Sequence, residues 1–184
     1  MQNSIHTMRA GFRKTPLFLL AQWAAFLLLI LASTLAQPIT LTAVQSRKAH
    51  GVVGTLDVAI DTTKSIDGAV TVESRTIGAS HQIVFKFDGP ITAPGTAAAT
   101  DANGAIVGSA SSMVDGNDVV VTLSALADNS RITVWLTNVN GTGLYVSAAV
   151  GFLVGDTNNS RSINNTDASA VKARAGQVAG AANA

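Results

Sequence analysis

The sequence predicts a mainly β protein: an antiparallel, immunoglobulin-like β-sandwich with an apolar N-terminal signal or anchor helix before it and a short calcium loop-helix after it. Three observations carry this. "HQIVFKF" sets Ile83, Phe85 and Phe87 on one face and Val84 and Lys86 on the other, the period-2 pattern of a strand with one buried side. "NDVVVTLS", "RITVWLTNV" and "GLYVSAAVGFLVG" follow at a spacing of about ten residues, behind the turn clusters "VDGN", "ADNS" and Asn138-Val139-Asn140-Gly141. Between about Ser46 and Val154 no stretch shows the helical period. "TAPGTAAATDANGAIVGSASS" fits neither period and reads as two weak edge strands or a long surface loop. Trp135, inside an alternating strand, reads as core.

Composition excludes several function classes. Charged residues make up 12% of the 184-residue chain and the net charge is +1, so no broad basic face is available for a nucleic-acid backbone. With no cysteine, disulfides, thiolate metal sites and cysteine nucleophiles are all ruled out, and any metal needs oxygen or histidine ligands. At the N-terminus Arg9, Arg13 and Lys14 precede the apolar run "LFLLAQWAAFLLLILA", and "STLAQP" offers small residues for cleavage. Residues 1–36 are therefore expected to be a signal peptide, with an uncleaved anchor as the alternative. Either reading places residues 46–154, the sandwich, outside the cytoplasm, secreted or at the cell surface; an anchor would be the chain's one membrane contact.

No catalytic site is expected. The acids between residues 46 and 154 form no spaced cluster, and His50 and His81 stand alone beside turns, where histidine is usually solvated or capping. The chain has no Gly-x-Ser-x-Gly elbow, no phosphate-cradling glycine loop and no His-Glu-x-x-His.

Residues 155–177, "GDTNNSRSINNTDASAVKARAGQ", are built differently. Counted from Asp156, the ligand positions of a twelve-residue calcium loop fall on Asp156, Asn158, Ser160, Ser162, Asn164 and Asp167. Each carries a side-chain oxygen, as suits a hard cation, and position 7 also contributes its carbonyl. Ile163 is expected to pin the loop to a core. Asn164 is placed to cap the following helix, with Asp167 three residues on. Position 6, commonly glycine, is Arg161, and position 12 is Asp rather than Glu. Two formal negative charges predict weak affinity for Ca2+, toward the extracellular class of about 10⁻⁴ to 10⁻³ M. Two partial matches, from Asp101 and from Asn138, lack an oxygen at one or more positions and have no helix behind them.

This stretch resembles a type I dockerin repeat, the calcium loop-helix module of secreted bacterial polysaccharide-degrading enzymes. The likeness rests on Gly155, Asp156, Asn158, Ser160, Asn164, Asp167 and the helix carrying Lys172. "SRKAHG", "HQIVFKF" and "RITVWLTNVN" similarly resemble the β domain that often precedes such repeats. The resemblance implies calcium-stabilised docking to a cohesin-like module, or an intramolecular dock, in the setting of polysaccharide breakdown. It implies partner contacts at Asn165, Thr166, Lys172, Ala173 and Gln177. A full dockerin pairs two repeats and this sequence shows one, followed by a tail at 178–184. The leading expectation is a non-catalytic, exported attachment module. The alternatives are a carbohydrate-binding or accessory domain of a glycoside hydrolase, which would keep an exposed aromatic such as Tyr145, and a structural surface protein with a polar linker tail.

Overall fold

The computed structural model describes residues 38–75, 78 and 80–178. The expected signal segment, 1–36, and all but the first residue of the expected tail lie outside them. Nine strands are described: β1 (Leu41–Ala49), β2 (Thr55–Ile60), β3 (Thr71–Glu73), β4 (Ser80–Phe87), β5 (Thr96–Thr100), β6 (Ser109–Asp115), β7 (Asp118–Ser124), β8 (Ser130–Val139) and β9 (Leu144–Phe152). One helix, α1 (Asn165–Arg174), follows. Among the described residues no helix is long and apolar enough to cross a membrane.

The strands form two sheets, of order β2-β1-β4-β7-β6 and β3-β9-β8-β5. Their facing sides share one core: Val44, Ile83, Phe85, Val119, Val121 and Leu123 from the first, Ile132, Val134, Leu136, Ala148 and Val150 from the second. That is the sandwich-like arrangement two half-apolar sheets reach by covering each other. Alternation in β4 predicts the inward positions of Ile83, Phe85 and Phe87 correctly.

Three features depart from the expectation. The pairing is mixed, because β3 runs parallel to β9 through Thr71↔Val150, Val72↔Gly151 and Glu73↔Phe152. The other pairs are antiparallel. Val84, expected on a solvent side, is fully buried, as is Val120 beside it, so the middle of the first sheet is apolar on both faces. Trp135 is not core: Val134 and Leu136 take the inward positions, and Trp135 stands half-exposed on the outer face of β8. The ambiguous stretch resolves into the edge strands β5 and β6. Their small residues suit edges, where one side has no strand to pack against.

Turn chemistry follows local sequence. β6 and β7 are joined by Gly116-Asn117, and Gly116 has φ +63° at the first central position, the place a two-residue hairpin gives to glycine. Between β8 and β9, Asn138, Asn140 and Gly141 all take positive φ, as asparagine and glycine allow.

The interior includes a buried ion pair. Arg75 grips Glu73 with Nε to Oε1 at 2.8 Å and Nη2 to Oε2 at 2.6 Å. It also donates to the carbonyls of Leu56 and Ser46, both at 2.9 Å. Ser46 Oγ adds a short hydrogen bond to Glu73 Oε2. Burial pushes the Glu73 carboxyl up, but the Arg75 and Ser46 hydrogen bonds outweigh it and hold it below its usual range. His81, expected at a solvated turn, is only 6% exposed and lies 4.0 Å, ring to ring, from Phe152. Its Nε2 has no hydrogen-bond partner among the described residues. Burial lowers its pKa from 6.5 to about 4, against the pull of Glu73.

Two outcomes are expected. Arg75→Ala leaves the Glu73 charge buried and uncompensated and should cost about 3–5 kcal/mol in chemical denaturation, whereas Glu73→Gln with Arg75→Met should cost clearly less. For His81, the unfolded chain takes up a proton near pH 6.5 and the folded one only near 4. Stability from this group is therefore present above pH 6.5 and lost as pH falls toward 4. The loss should be roughly 2 kcal/mol between pH 7 and 5. Denaturation curves at the two pH values should show it in the native chain and not in His81→Leu; equal pH dependence in both would sink the account.

Candidate metal centre

The chain leaves β9 still alongside β3. Leu153 N donates to Glu73 O at 3.2 Å and Gly155 N to Ser74 O at 2.9 Å. Gly155, at φ +98°, then turns the chain into the loop. The root of the loop is thus held by the backbone of Glu73 itself and of Ser74, the residue between Glu73 and Arg75.

Within the loop, Asp156 organises the backbone. Its Oδ1 accepts from Ser160 N at 2.9 Å and its Oδ2 from Arg161 N at 2.6 Å. Ser160 N is shared with Asn158 Oδ1, also at 2.9 Å. Ser160 Oγ lies 3.4 Å from Asp156 Oδ1 and donates to Ser162 O at 2.9 Å. The oxygens at positions 1, 3, 5 and 7 are therefore gathered around one residue, Ser160. Asp167 closes the loop from the far end, its Oδ1 accepting from Thr157 N at 2.9 Å and its Oδ2 from Asn164 N at 3.0 Å. Those backbone hydrogen bonds, Asn164 first, hold its carboxyl below the ordinary range.

Both carboxylates are only 2% exposed. Neither forms an ion pair with a described cation. Arg161, the nearest one in sequence, sends its guanidinium to Gly68 O at 3.3 Å. Its backbone adopts φ +66°, the left-handed conformation that the usual glycine at position 6 supplies. The residue type departs from the common pattern while the backbone conformation does not. The strain falls on Arg161, and two hydrogen bonds, from its N–H to Asp156 and from its side chain to Gly68, offset it.

The helix start is as expected. Asn164 Oδ1 accepts from Thr166 N at 2.8 Å, and with Asp167 it forms a reciprocal capping box. That use bears on the expected ligand set, since the oxygen of Asn164 points into the helix end rather than toward Ser160. Ser162 contributes its carbonyl to the gathered oxygens, with its Oγ 3.3 Å from that of Ser160. Ile163 does not pin the loop to a core: it is 59% exposed. Polar contacts to the sandwich hold the loop instead, through Arg161 and through Asn159 Oδ1, which accepts from Val72 N of β3 at 2.6 Å. Asn159 occupies position 4, which has no ligand role; only its φ of +59° marks it, a conformation asparagine tolerates.

Helix α1 buries a single residue, Asp167. Asp167, Ala170, Val171 and Arg174 share one side of the helix, and the last three face Ser74, Arg75 and Thr157 across a cleft of about 390 Å³ that these six residues line with Ala175. Val171 stays exposed. Asn165, Thr166, Lys172 and Ala173 lie on the opposite side of the helix and are exposed, as is Gln177 beyond its end, whose Nε2 donates to Ala173 O at 3.4 Å.

The first partial match behaves differently. Asp101 Oδ1 accepts from Asn103 N and Ala105 N, an ordinary turn between β5 and β6. Among the described residues no group of three or more histidine or acidic side chains could hold a metal. The loop has two carboxylates and draws its remaining oxygens from amide, hydroxyl and carbonyl groups. Comparison of the chain with protein-family models and with curated proteins finds no match to either.

Asn159→Ala should cost about 1–2 kcal/mol by leaving Val72 N–H without its acceptor. Amide exchange should accelerate at Val72 and across residues 156–163 while β8 keeps its protection. Unchanged exchange at Val72 would show that Asn159 does not hold the loop to the sheet.

Proposed function

We propose that the protein is an exported, non-catalytic attachment module. In this reading an immunoglobulin-like sandwich carries a dockerin-like calcium loop-helix, and the setting is extracellular polysaccharide breakdown. The observation that carries the reading is the pair of buried carboxylates, Asp156 and Asp167, which bracket a loop lined with neutral oxygens and have no counter-cation among the described residues. Burying two anions in one short loop is costly unless a cation compensates them. A hard divalent ion suits an all-oxygen donor set, and the left-handed backbone at Arg161 supports the calcium-loop reading over a polar linker.

Asp156, Asn158, Ser160, the Ser162 carbonyl and Asp167 would hold Ca2+. Asn164 belongs to the helix cap and would act, if at all, through water, as position 9 often does. The ion would supply charge compensation and rigidity, not chemistry. The exposed side of α1, with Asn165, Thr166, Lys172 and Ala173, and Gln177 just beyond, is the surface assigned to a cohesin-like partner. Val171 and the cleft beside it would take an intramolecular dock. The apolar N-terminal segment supports export.

Calorimetric calcium titration tests this, beside an Asp156→Ala, Asp167→Ala double variant and the milder Asp156→Asn. Saturable binding with Kd of about 10⁻⁴ to 10⁻³ M is expected. Both variants should lose it, with chemical-shift changes confined to residues 155–168. At a Kd of about 0.3 mM, 10 mM calcium should add about 2 kcal/mol of stability. No heat and no stability gain at 10 mM would reduce the segment to a linker.

A further inference from the structure

The outer face of the β3-β9-β8-β5 sheet carries an assembly that the loop does not explain. Trp135 of β8 and Tyr145 of β9 sit diagonally across neighbouring strands, since Trp135 pairs with Ser147 and Tyr145 with Thr137. Their ring centroids are 6.4 Å apart and their planes 28° apart, an offset arrangement. Tyr145 is 60% exposed and Trp135 half-buried, and the inward positions beside them are filled by Leu136, Val134 and Ala148. Around the two rings most outward positions are hydroxyls, Thr133 and Thr137 on β8, Ser147 on β9, and Thr96 and Thr100 on the edge strand β5, with Ala98 of β5 directly beside Trp135. The outward positions of these three strands include no acid, and their one cation, Arg131, stands at the far end of β8. The outer face of the other sheet, by contrast, carries ion pairs such as Lys86–Asp118 and Arg47–Asp57.

We infer that this face binds a neutral saccharide chain. A pyranose ring presents slightly positive C–H groups on its flat side, which suit the negative face of an aromatic ring, and hydroxyls around its edge. Threonine and serine hydroxyls each offer a donor and two acceptors to those edges. Other occupants fit less well. A single-stranded nucleic acid would also stack on the rings but needs a cationic track beside them, and only Arg131 is present. A protein interface needs a desolvated apolar centre, and here two aromatic rings and one small apolar neighbour, Ala98, are bordered by hydroxyl residues. An anionic polysaccharide would find too little charge. The inference is independent of the calcium loop, which begins beyond the other end of β9.

Affinity electrophoresis of the full protein tests it, in gels containing hydroxyethylcellulose, xyloglucan or galactomannan, with polygalacturonate and oligo-dT as charged probes. The native protein should be retarded by at least one neutral polysaccharide. Retardation should fall at least ten-fold in Tyr145→Ala and in Trp135→Ala, while Met113→Ala, an exposed apolar residue on the other sheet, and the Asp156→Ala, Asp167→Ala double variant should match the native protein. Tyr145→Ala removes a largely exposed ring and carries the test even if Trp135→Ala fails to fold. The inference is overturned if no neutral gel retards the native protein, if Tyr145→Ala is retarded equally, or if only the charged probes bind. It is equally overturned if sedimentation shows self-association that Tyr145→Ala abolishes, which would make a second copy the occupant.

Discussion

The Arg75 guanidinium is where the two sheets and the terminal loop are fastened to one another. It meets Glu73 of β3 in the second sheet and the carbonyls of Ser46 and Leu56 in the first, using every terminal nitrogen of its fork. A lysine would offer a single point charge and could not span these partners. β3 is three residues long and pairs only with β9 in its sheet, so sheet hydrogen bonds alone hold it weakly. The buried ion pair compensates by fixing β3 from the side. Because Ser74 and Val72 then accept and donate the hydrogen bonds that root the loop, the order of residues 155–167 depends on that edge strand being in place.

The loop itself shows how carboxylates can shape a backbone before they do anything else. Asp156 and Asp167 turn the chain by accepting four backbone N–H groups, and the left-handed residues Asn159 and Arg161 fall where the chain must reverse around them. Each carboxylate oxygen retains further acceptor capacity after these bonds. Asp101 makes the same kind of local turn with one carboxylate and no helix behind it, and its neighbours lead into a β-bridge at Ile106. What separates the two sites is the second carboxylate, delivered from eleven residues on by the capping box.

Much of this was legible in the sequence, and the gaps have physical causes. Alternation marks Ile83, Phe85 and Phe87 as one face, and all three are inward, because a period of two is fixed by strand geometry. The turn residues, the edge character of β5 and β6, and the Asn164–Asp167 capping box were readable for the same local reasons. Trp135 reads as core from its place in an alternating strand, but the phase of that alternation gives the inward positions to its neighbours Val134 and Leu136. Ile163 was misread because a loop can be held to a sheet by amides as well as by an apolar plug, and Asn159 gave little sign of that role. The parallel β3–β9 pair, the reach of Arg75 to Leu56 and Ser46 and the burial of His81 are non-local, and no short window of sequence contains them.

Strand β9 joins the two surfaces that matter most. Tyr145 stands at its beginning and the loop starts just past Phe152, so seven strand steps, roughly 23 Å, separate the aromatic face from the root of the loop. Across that distance no charge on one site has much effect on the other at physiological ionic strength. The part of β9 between them is the most deeply buried stretch of the second sheet, running through Ala148, Ala149 and Val150, and it is paired on both sides along its second half. A rigid, doubly paired strand holds its two ends at a fixed separation without coupling them. That arrangement would let the proposed ligand face and the proposed attachment loop act side by side, each depending on the sandwich and neither on the other.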